Sequence, residues 1–346
     1  MNLNQRISLF VKLGTHFKEY LENLSNKKKY KLLNKAIDNS IAQNSFFTRE
    51  SINLSLLVWS KNLSRESINN FILNYNFKTS QIKKKVAIIM AGNIPLVGFH
   101  DFFCVILSGN FAEIKHSSKD SYLLRYILNF LSKQDKNFSN SFHICDKILV
   151  DFDAVIATGN NISANQFDIY FKKKPRIIRR NRHSVALLDG NETEKEIELL
   201  GKDIFSYYGL GCRNVSKIFI PVNYDLNLLF KSFIYFKEVI NKNAYANNYD
   251  YYRAIYLLNK DNFYDNGFVL LKESKKIGSP VATIFFEYYK SVEDVFKIIN
   301  KNSSKIQCLV SNLNYQNNMK FGETQHPGLS DYADNVDTID FLLKLN

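Results

Sequence analysis

Several stretches of the sequence set reactive or hydrogen-bonding side chains beside glycines. The first is Gly209-Leu210-Gly211-Cys212-Arg213-Asn214, which joins a predicted helix to a predicted strand. Glycines let a substrate approach the backbone closely, and a thiol in such a connection is accessible. Cys104 and Cys308 lie instead in the apolar runs FFCVIL and IQCLV, where a thiol is usually an inert small hydrophobe. Cys145, between Ile144 and Asp146, carries no signal. Cys212 is therefore the candidate nucleophile, and Arg213 beside it can favour the thiolate if its side chain turns that way. A glycine-flanked cysteine is also common in ordinary loops, so both readings stand on composition alone.

Three further positions follow short apolar runs. Gly92-Asn93-Ile94-Pro95 comes directly after residues 86–90 (VAIIM), and a side-chain amide at a strand's end can donate to an oxyanion. The plainer reading makes Asn93 a left-handed turn residue before Ile-Pro. Lys115 ends the next run, where a lysine at the edge of a parallel sheet can reach ribose or phosphate. It reads equally as an ordinary charge at a strand end. Thr158-Gly159-Asn160 is another such turn. Neither GxGxxG nor GxxxxGK[ST] occurs at these places, and the six histidines have no HxxxH-type metal spacing. No metal site is expected.

The elements that must position these residues alternate. Residues 1 to about 80 read as helical, with apolar residues at three- and four-residue spacing. From there strands are predicted at 86–90, 111–115, 153–158, 176–178 and 184–188, with helices between them. Ser117-Ser118-Lys119-Asp120 offers capping side chains to a helix over 122–131. After Asp189-Gly190, a helix over 193–208 opens with Thr193 and Glu196 spaced as a capping box. Further strands are expected at 217–220, 254–258, 281–286 and 306–310, with helices near 226–240 and 292–300. The stretch 337–345 reads as a strand or a short helix. This pattern predicts right-handed crossovers and mainly parallel sheets in two α/β domains.

The chain has 346 residues, of which 45% are hydrophobic and 23% charged, a balance that excludes a disordered tail or a disulfide-stapled module. Four cysteines without CxxC spacing suit a reducing, cytoplasmic compartment. No run is long enough for a membrane span, and no signal peptide is read at the N-terminus. The net charge of +13 invites a nucleic-acid reading. About 40 asparagines, with abundant Ile, Phe and Tyr, point instead to a compositional bias toward A and T. The lysine runs at 27–29, 83–85 and 172–174 are short and scattered. Nucleic acid is not an expected partner.

Taken in order, Ala91-Gly92-Asn93-Ile94-Pro95, Lys115-His116-Ser117-Ser118, Ala157-Thr158-Gly159-Asn160 and Gly209-Leu210-Gly211-Cys212 resemble the aldehyde dehydrogenase superfamily. Within it, the phrases AGNIPLVGFHDF, IKHSSKD, YYGLGCRNVSKIFIP and FGETQHPGLSDYADNVDTIDFLL resemble the acyl-CoA reductase family, which includes the fatty-acid reductase subunit of bacterial luminescence systems. The likeness runs over about residues 85–346. It implies an aldehyde-dehydrogenase-like α/β fold with a helical N-terminal segment (1–80), a nicotinamide-binding domain (81–188), a catalytic domain (189–320) and a C-terminal segment (321–346) returning to the cofactor domain. It further implies a cleft between the two domains.

By the same resemblance, Cys212 matches the nucleophile and Asn93 the oxyanion donor. Lys115 matches the lysine on the adenine ribose, and Thr158, Gly159 and Asn160 lie in the turn over the cofactor. The implied reaction is attack of Cys212 on an acyl-CoA or acyl-carrier thioester, then hydride transfer to the acyl-enzyme and release of an aldehyde. Departures from the superfamily pattern refine this. Hydrolytic members carry a glutamate base about three dozen residues before the cysteine, whereas residues 177–182 here read IIRRNR. That favours thioester reduction over the alternative, aldehyde oxidation. Ser118 stands where NAD-preferring members often place a carboxylate, which favours NADPH, with NADH as the other choice. The Glu-x-Phe-Gly-Pro segment reads Lys275-Lys276-Ile277-Gly278-Ser279-Pro280, with Glu273 nearby. The chain is short for the superfamily, so the usual oligomerising hairpin is expected to be missing, although a homo-oligomer stays open. A third alternative is a basic, non-catalytic binding protein on the same fold.

Overall fold

A computed structural model describes residues 1–77, 82–145, 149–313, 315 and 318–345. The chain divides into two compact units, Met1–Arg180 with Gly328–Asn346, and Asn181–Pro327.

The first unit opens with four helices, α1 (Leu3–Glu22), α2 (Lys31–Gln43), α3 (Arg49–Asn62) and α4 (Arg65–Ile72). Then come β1 (Lys85–Ile89), α5 (Phe99–Leu107), β2 (Phe111–Lys115), α6 (Tyr122–Gln134), β3 (Phe142–Ile144), β4 (Ala154–Thr158), α7 (Asn161–Tyr170) and β5 (Arg176–Arg179). The five strands form one parallel sheet in the order β3-β2-β1-β4-β5. A parallel sheet is buried on both faces, which is why its strands read as continuous apolar runs. Val86, Ile88, Ala112, Ile114 and Ile156 join the core that also holds the N-terminal helices. Ala87, Val155 and Ala157 face a second, smaller cluster with Phe152 and Phe171. The helical segment docks through aromatic contacts: Phe10 of α1 meets Phe103 of α5 at 4.8 Å, and Trp59 of α3 meets Phe99 edge-on at 4.5 Å.

The second unit comprises β6 (His183–Leu187), α8 (Glu194–Phe205), β7 (Val215–Pro221), α9 (Leu226–Phe233), α10 (Asn243–Leu258), β8 (Tyr264–Asp265), β9 (Leu270–Glu273), β10 (Thr283–Tyr289), α11 (Val292–Lys301) and β11 (Ile306–Val310). Its sheet runs β11-β6-β7-β10-β9-β8, parallel except for the short β8 edge. Alternate strand residues again divide between two cores, with Ala186, Ile218 and Ile220 on one side and Val185, Leu187 and Phe219 on the other. The chain then returns to the first unit as α12 (Thr338–Leu343).

Several expectations need correction. Residues 254–258 are the end of helix α10, not a strand. A short apolar run fits either state, and the buried Tyr245, Tyr249 and Tyr256 mark the helical face. The expected α8 stops at Phe205 and passes into a tight turn, while the helix expected near 226–240 is α-helical only to Phe233. Residues 337–345 contain a short helix. The Thr193–Glu196 capping box is present, but Ser117, Ser118 and Asp120 do not cap α6, whose N-cap residue, Ser121, makes no side-chain cap bond. Sequence reading put residues 181–188 with the first unit. Because β6 pairs with β7 and β11, the division falls at Arg180/Asn181, and the later one at Pro327/Gly328. The boundary drawn at residues 80/81 touches segment 78–81, outside the described residues.

One buried ion pair fastens the C-terminal return. Arg179 on β5 donates to both oxygens of Asp101 on α5, at 2.7 and 3.3 Å, and to Thr338 Oγ1 at 2.9 Å and the Ala333 carbonyl at 2.5 Å. Burial lowers the guanidinium's pKa, but Asp101 outweighs it and holds the charge on. Asp101→Ala takes from that buried cation the carboxylate that does most to hold its charge, so it is expected to destabilise the protein by about 3–5 kcal/mol. Urea denaturation reads this directly. An unchanged midpoint would show that the pair contributes nothing.

Candidate active site

Strands β1, β2 and β4 are neighbours, and Ile89 is in register with Lys115 on one side and Ala157 on the other. The chain therefore leaves all three at one edge of the sheet. The strand order reverses between β1 and β4, the switch point at which open parallel sheets bind ligands. Asn93, Lys115, Ser118, Thr158, Gly159 and Asn160 all lie on the connections leaving this edge.

Lys115 is half-buried, and its carbonyl accepts from the Met90 N–H at 2.9 Å. Ser118 is exposed on the turn from Ser117 to Asp120. Thr158 ends β4, and Asn160 accepts from the Ser163 N–H at 2.8 Å, so its side chain serves as the N-cap of α7. At Gly159 a Cβ would lie 2.9 Å from Ser163 Cβ and 3.1 Å from the Phe167 ring, so only glycine lets strand and helix approach this closely. No acidic side chain occupies the first turn of α7.

Asn93 is exposed on the loop 91–98 between β1 and α5. Three side chains hold that loop by its backbone. Asn44, at the end of α2, donates to the Gly92 carbonyl at 2.9 Å, and Ser55 of α3 donates to the Pro95 carbonyl at 3.1 Å. Asp120 accepts from the Leu96 N–H at 2.8 Å. None of these anchors has a sequence signature, and two of them come from helices that sequence reasoning left without a role.

Cys212 belongs to the second unit, on the connection from α8 to β7. It is half-buried, while the other three cysteines are buried. Tyr207, Tyr208 and Gly209 in succession have left-handed backbone, with φ of 52°, 58° and 75°. Such strain persists only where neighbours enforce it. Asn214 does so: its amide donates to the carbonyls of Asp203, Ile204 and Ser206 at 3.0, 3.2 and 2.8 Å, and its oxygen accepts from the Gly211 N–H at 2.8 Å. Ser184 of β6 donates to the Cys212 carbonyl at 3.1 Å. Arg213, read beforehand as a possible partner of the Cys212 thiolate, reaches Cys308 Sγ at 3.3 Å. A cavity beside this loop, lined by Tyr208, Val215, Tyr245 and Pro280 among others, has about 30 Å³, room for a water but not an acyl chain.

Two buried groups that sequence reasoning missed support these loops. Asp203 on α8 accepts from the N–H groups of Gly322 and Thr324 at 2.7 and 3.0 Å and from Thr324 Oγ1 at 2.8 Å, while burial pushes its carboxyl up to about 6. Lys217 on β7, fully buried, pairs with Glu287 and donates to the Ser274 carbonyl at 2.9 Å; burial lowers its pKa. A lysine near the start of an apolar strand reads from sequence as a solvated end. The segment 275–280 is fixed by Ser216, which donates to the Ile277 carbonyl at 3.3 Å, and by Gly278, where a Cβ would lie 2.2 Å from His183 Nε2. Glu273 is exposed at the end of β9.

A family model described as acyl-CoA reductase (LuxC) matches residues 15–228. The chain belongs to that family. Its members' description makes this acyl-CoA reductase relative an oxidoreductase of aldehyde and acyl-CoA chemistry, which sets aside the non-catalytic binding protein. No curated protein matches the sequence. Among solved structures, the chain is similar to an indole-3-acetaldehyde dehydrogenase in complex with NAD+, with a TM-score of 0.66 at 12% identity over 90% of this chain and 72% of that one. A Mycobacterium tuberculosis aldehyde dehydrogenase complexed with NAD+ gives 0.62 at 12% identity over 92% and 79%. One from Physcomitrella patens, in complex with the reaction product succinate, gives 0.62 at 13% over 90% and 73%. The chain thus has the aldehyde dehydrogenase fold. Among the described residues, no helix is long and apolar enough to cross a membrane.

Removing the Asn214 side chain strands the buried Gly211 N–H, so Asn214→Ala is expected to cost about 1–3 kcal/mol. It should also speed labelling of Cys212 by a thiol reagent while the three buried cysteines stay slow. Peptide mapping of the labelled protein checks this, and equal labelling rates would refute it.

Proposed function

We propose that the protein reduces an acyl thioester, carried on CoA or on a carrier protein, to an aldehyde, with Cys212 as nucleophile and NADPH as the preferred reductant. The observation that carries the reading is the half-exposed Cys212 on a loop immobilised by Asn214 and Ser184, in a chain of the acyl-CoA reductase family. A thiolate there attacks the thioester carbonyl carbon, the CoA or carrier thiolate leaves, and the acyl group stays on Sγ as a new thioester. The oxyanion formed during attack needs preorganised donors. Asn93, on its thrice-anchored loop, and the Cys212 N–H are the groups assigned to it.

The first unit's residues fit a nicotinamide nucleotide. Gly159 makes a tight strand-to-helix turn that a Cβ would fill, and the α7 N-terminus beside it lacks acidic side chains, which suits a pyrophosphate. Lys115 is assigned to the ribose, and Thr158 and Gly159 to the turn over the cofactor, with Asn160 shaping that turn as the cap of α7. When bound, the reduced nicotinamide supplies the hydride that takes the acyl carbon to the aldehyde level. The absence of a carboxylate from residues 177–182 disfavours the oxidative alternative, since no base is supplied there to activate water. Arg179 in that stretch is already committed to Asp101.

Incubation with acyl-CoAs from acetyl to palmitoyl should give one acyl mass increment at Cys212, and the adduct should be absent in Cys212→Ala. Intact-mass analysis reports both capture and chain preference. If no acyl-CoA labels the wild type, thioester reduction through Cys212 is wrong. Placing a carboxylate on the Ser117–Asp120 turn, Ser118→Glu, should raise KM for NADPH about tenfold or more while sparing NADH, since like charges repel at a 2′-phosphate. Equal effects on both nucleotides would count against the assignment of Ser118.

A further inference from the structure

The loop bearing Asn93 and the turn from Ser117 to Asp120 interlock at two points. Gly92 packs on Ser117 so closely that a Cβ would lie 2.4 Å from its Oγ. Leu96, a residue with left-handed backbone at φ 59°, donates its N–H to Asp120 Oδ2 at 2.8 Å. That conformation is strained for a branched side chain and persists only where neighbours over-determine it. Asp120 itself is 7% exposed, and its other oxygen, Oδ1, is buried without a hydrogen-bond partner. Buried polar atoms are rarely left in that condition without a role.

We infer that Asp120 is the positioning residue of the oxyanion loop: by holding the Leu96 N–H it fixes the strained turn that presents Asn93. The inference rests on the assignment of Asn93 as oxyanion donor. Either form of the Asp120 carboxyl accepts from the Leu96 N–H, while only the ionised form brings a charge to the loop. Burial pushes its carboxyl up to about 7, with the Leu96 N–H pulling the other way. The connected elements bring little charge to it. The loop 91–98 has no titratable residue, and α2 and α3 contribute the neutral Gln43, Asn44 and Ser55. On the turn itself Lys119 is exposed, while His116 is engaged by Arg125 of α6 at 2.9 Å.

The sign follows. The native carboxyl keeps its proton to about pH 7, whereas an unfolded aspartate loses it near 3.8, so stability from this group falls as pH rises between those values. Above about 7 the native state carries a buried, unpaired charge beside the Asn93 loop.

The test is single-turnover acylation of Cys212 by the acetyl-to-palmitoyl-CoA series, followed by intact mass from pH 6 to 9, with amide hydrogen exchange over residues 91–98. The wild type should show a descending limb near pH 7. Asp120→Asn keeps an acceptor for Leu96 and carries no charge, so it should acylate at a near-wild-type rate at pH 6 and lack the limb. Asp120→Ala should slow acylation about tenfold or more, without weakening acyl-CoA binding, and should speed exchange at Leu96. If Asp120→Ala does not fold, the Asparagine variant's pH profile and exchange decide. Wild-type rates in Asp120→Ala, or a limb retained in Asp120→Asn, overturn the inference alone. A wild type that forms no adduct overturns the thioester reading and this inference with it.

Discussion

A backbone loop at the edge of a buried sheet must find partners for its polar groups, and the loop 91–98 finds them outside its own sheet. The Gly92 and Pro95 carbonyls accept from Asn44 and Ser55, and the Leu96 N–H goes to Asp120. An unpaired buried peptide group costs about as much as a lost hydrogen bond, so these contacts decide whether the loop keeps one conformation. This gives the helical N-terminal segment a physical purpose. α1 and α3 dock on α5 through Phe10 and Trp59, and that docking brings the ends of α2 and α3 to the Asn93 loop. The same segment reaches the next turn, where Gln43 accepts from the Ser121 N–H and donates to its hydroxyl. Packing of an aromatic core and positioning of the loops at the sheet's edge are one construction.

The parts legible in the sequence were those that repeat a local rule. Runs such as VAIIM announce strands buried on both faces, and glycines at 92, 159 and 211 mark turns where side chains would collide or donors must be reached. Thr193 and Glu196 announce a capping box because the motif lies wholly within one turn of helix. Long-range partners were not legible. Nothing near Asn214 in the sequence shows that its amide will collect three carbonyls from the preceding helix end. Asp120 was read as a cap for the following helix, the commonest local use of aspartate, yet its partner is Leu96, earlier in the chain. Local propensity lost there to a tertiary hydrogen bond. Residues 254–258 failed for the opposite reason, since five apolar residues in a row carry no period at all.

The second unit holds the Cys212 loop by a different means. Three of the residues that open β7 or precede it each reach a separate segment. Asn214 gathers the end of α8 and the Gly211 N–H, Ser216 takes the Ile277 carbonyl, and Lys217 takes the Ser274 carbonyl with Glu287 as its counter-ion. A buried lysine is tolerable only with such pairing, and here the partners are a residue within β10 and the residue that follows β9. One short stretch of chain thus fixes both the Cys212 connection and the segment 274–280. A rigid strand as the common anchor keeps those two loops in register with each other, because any shift of β7 moves both together. Glu273 at the end of β9 is exposed beside this segment, and Glu287 reaches it through Lys217. With Gly278 pressed against the His183 ring of β6 and Ser216 of β7 on the Ile277 carbonyl, the segment is held against both strands.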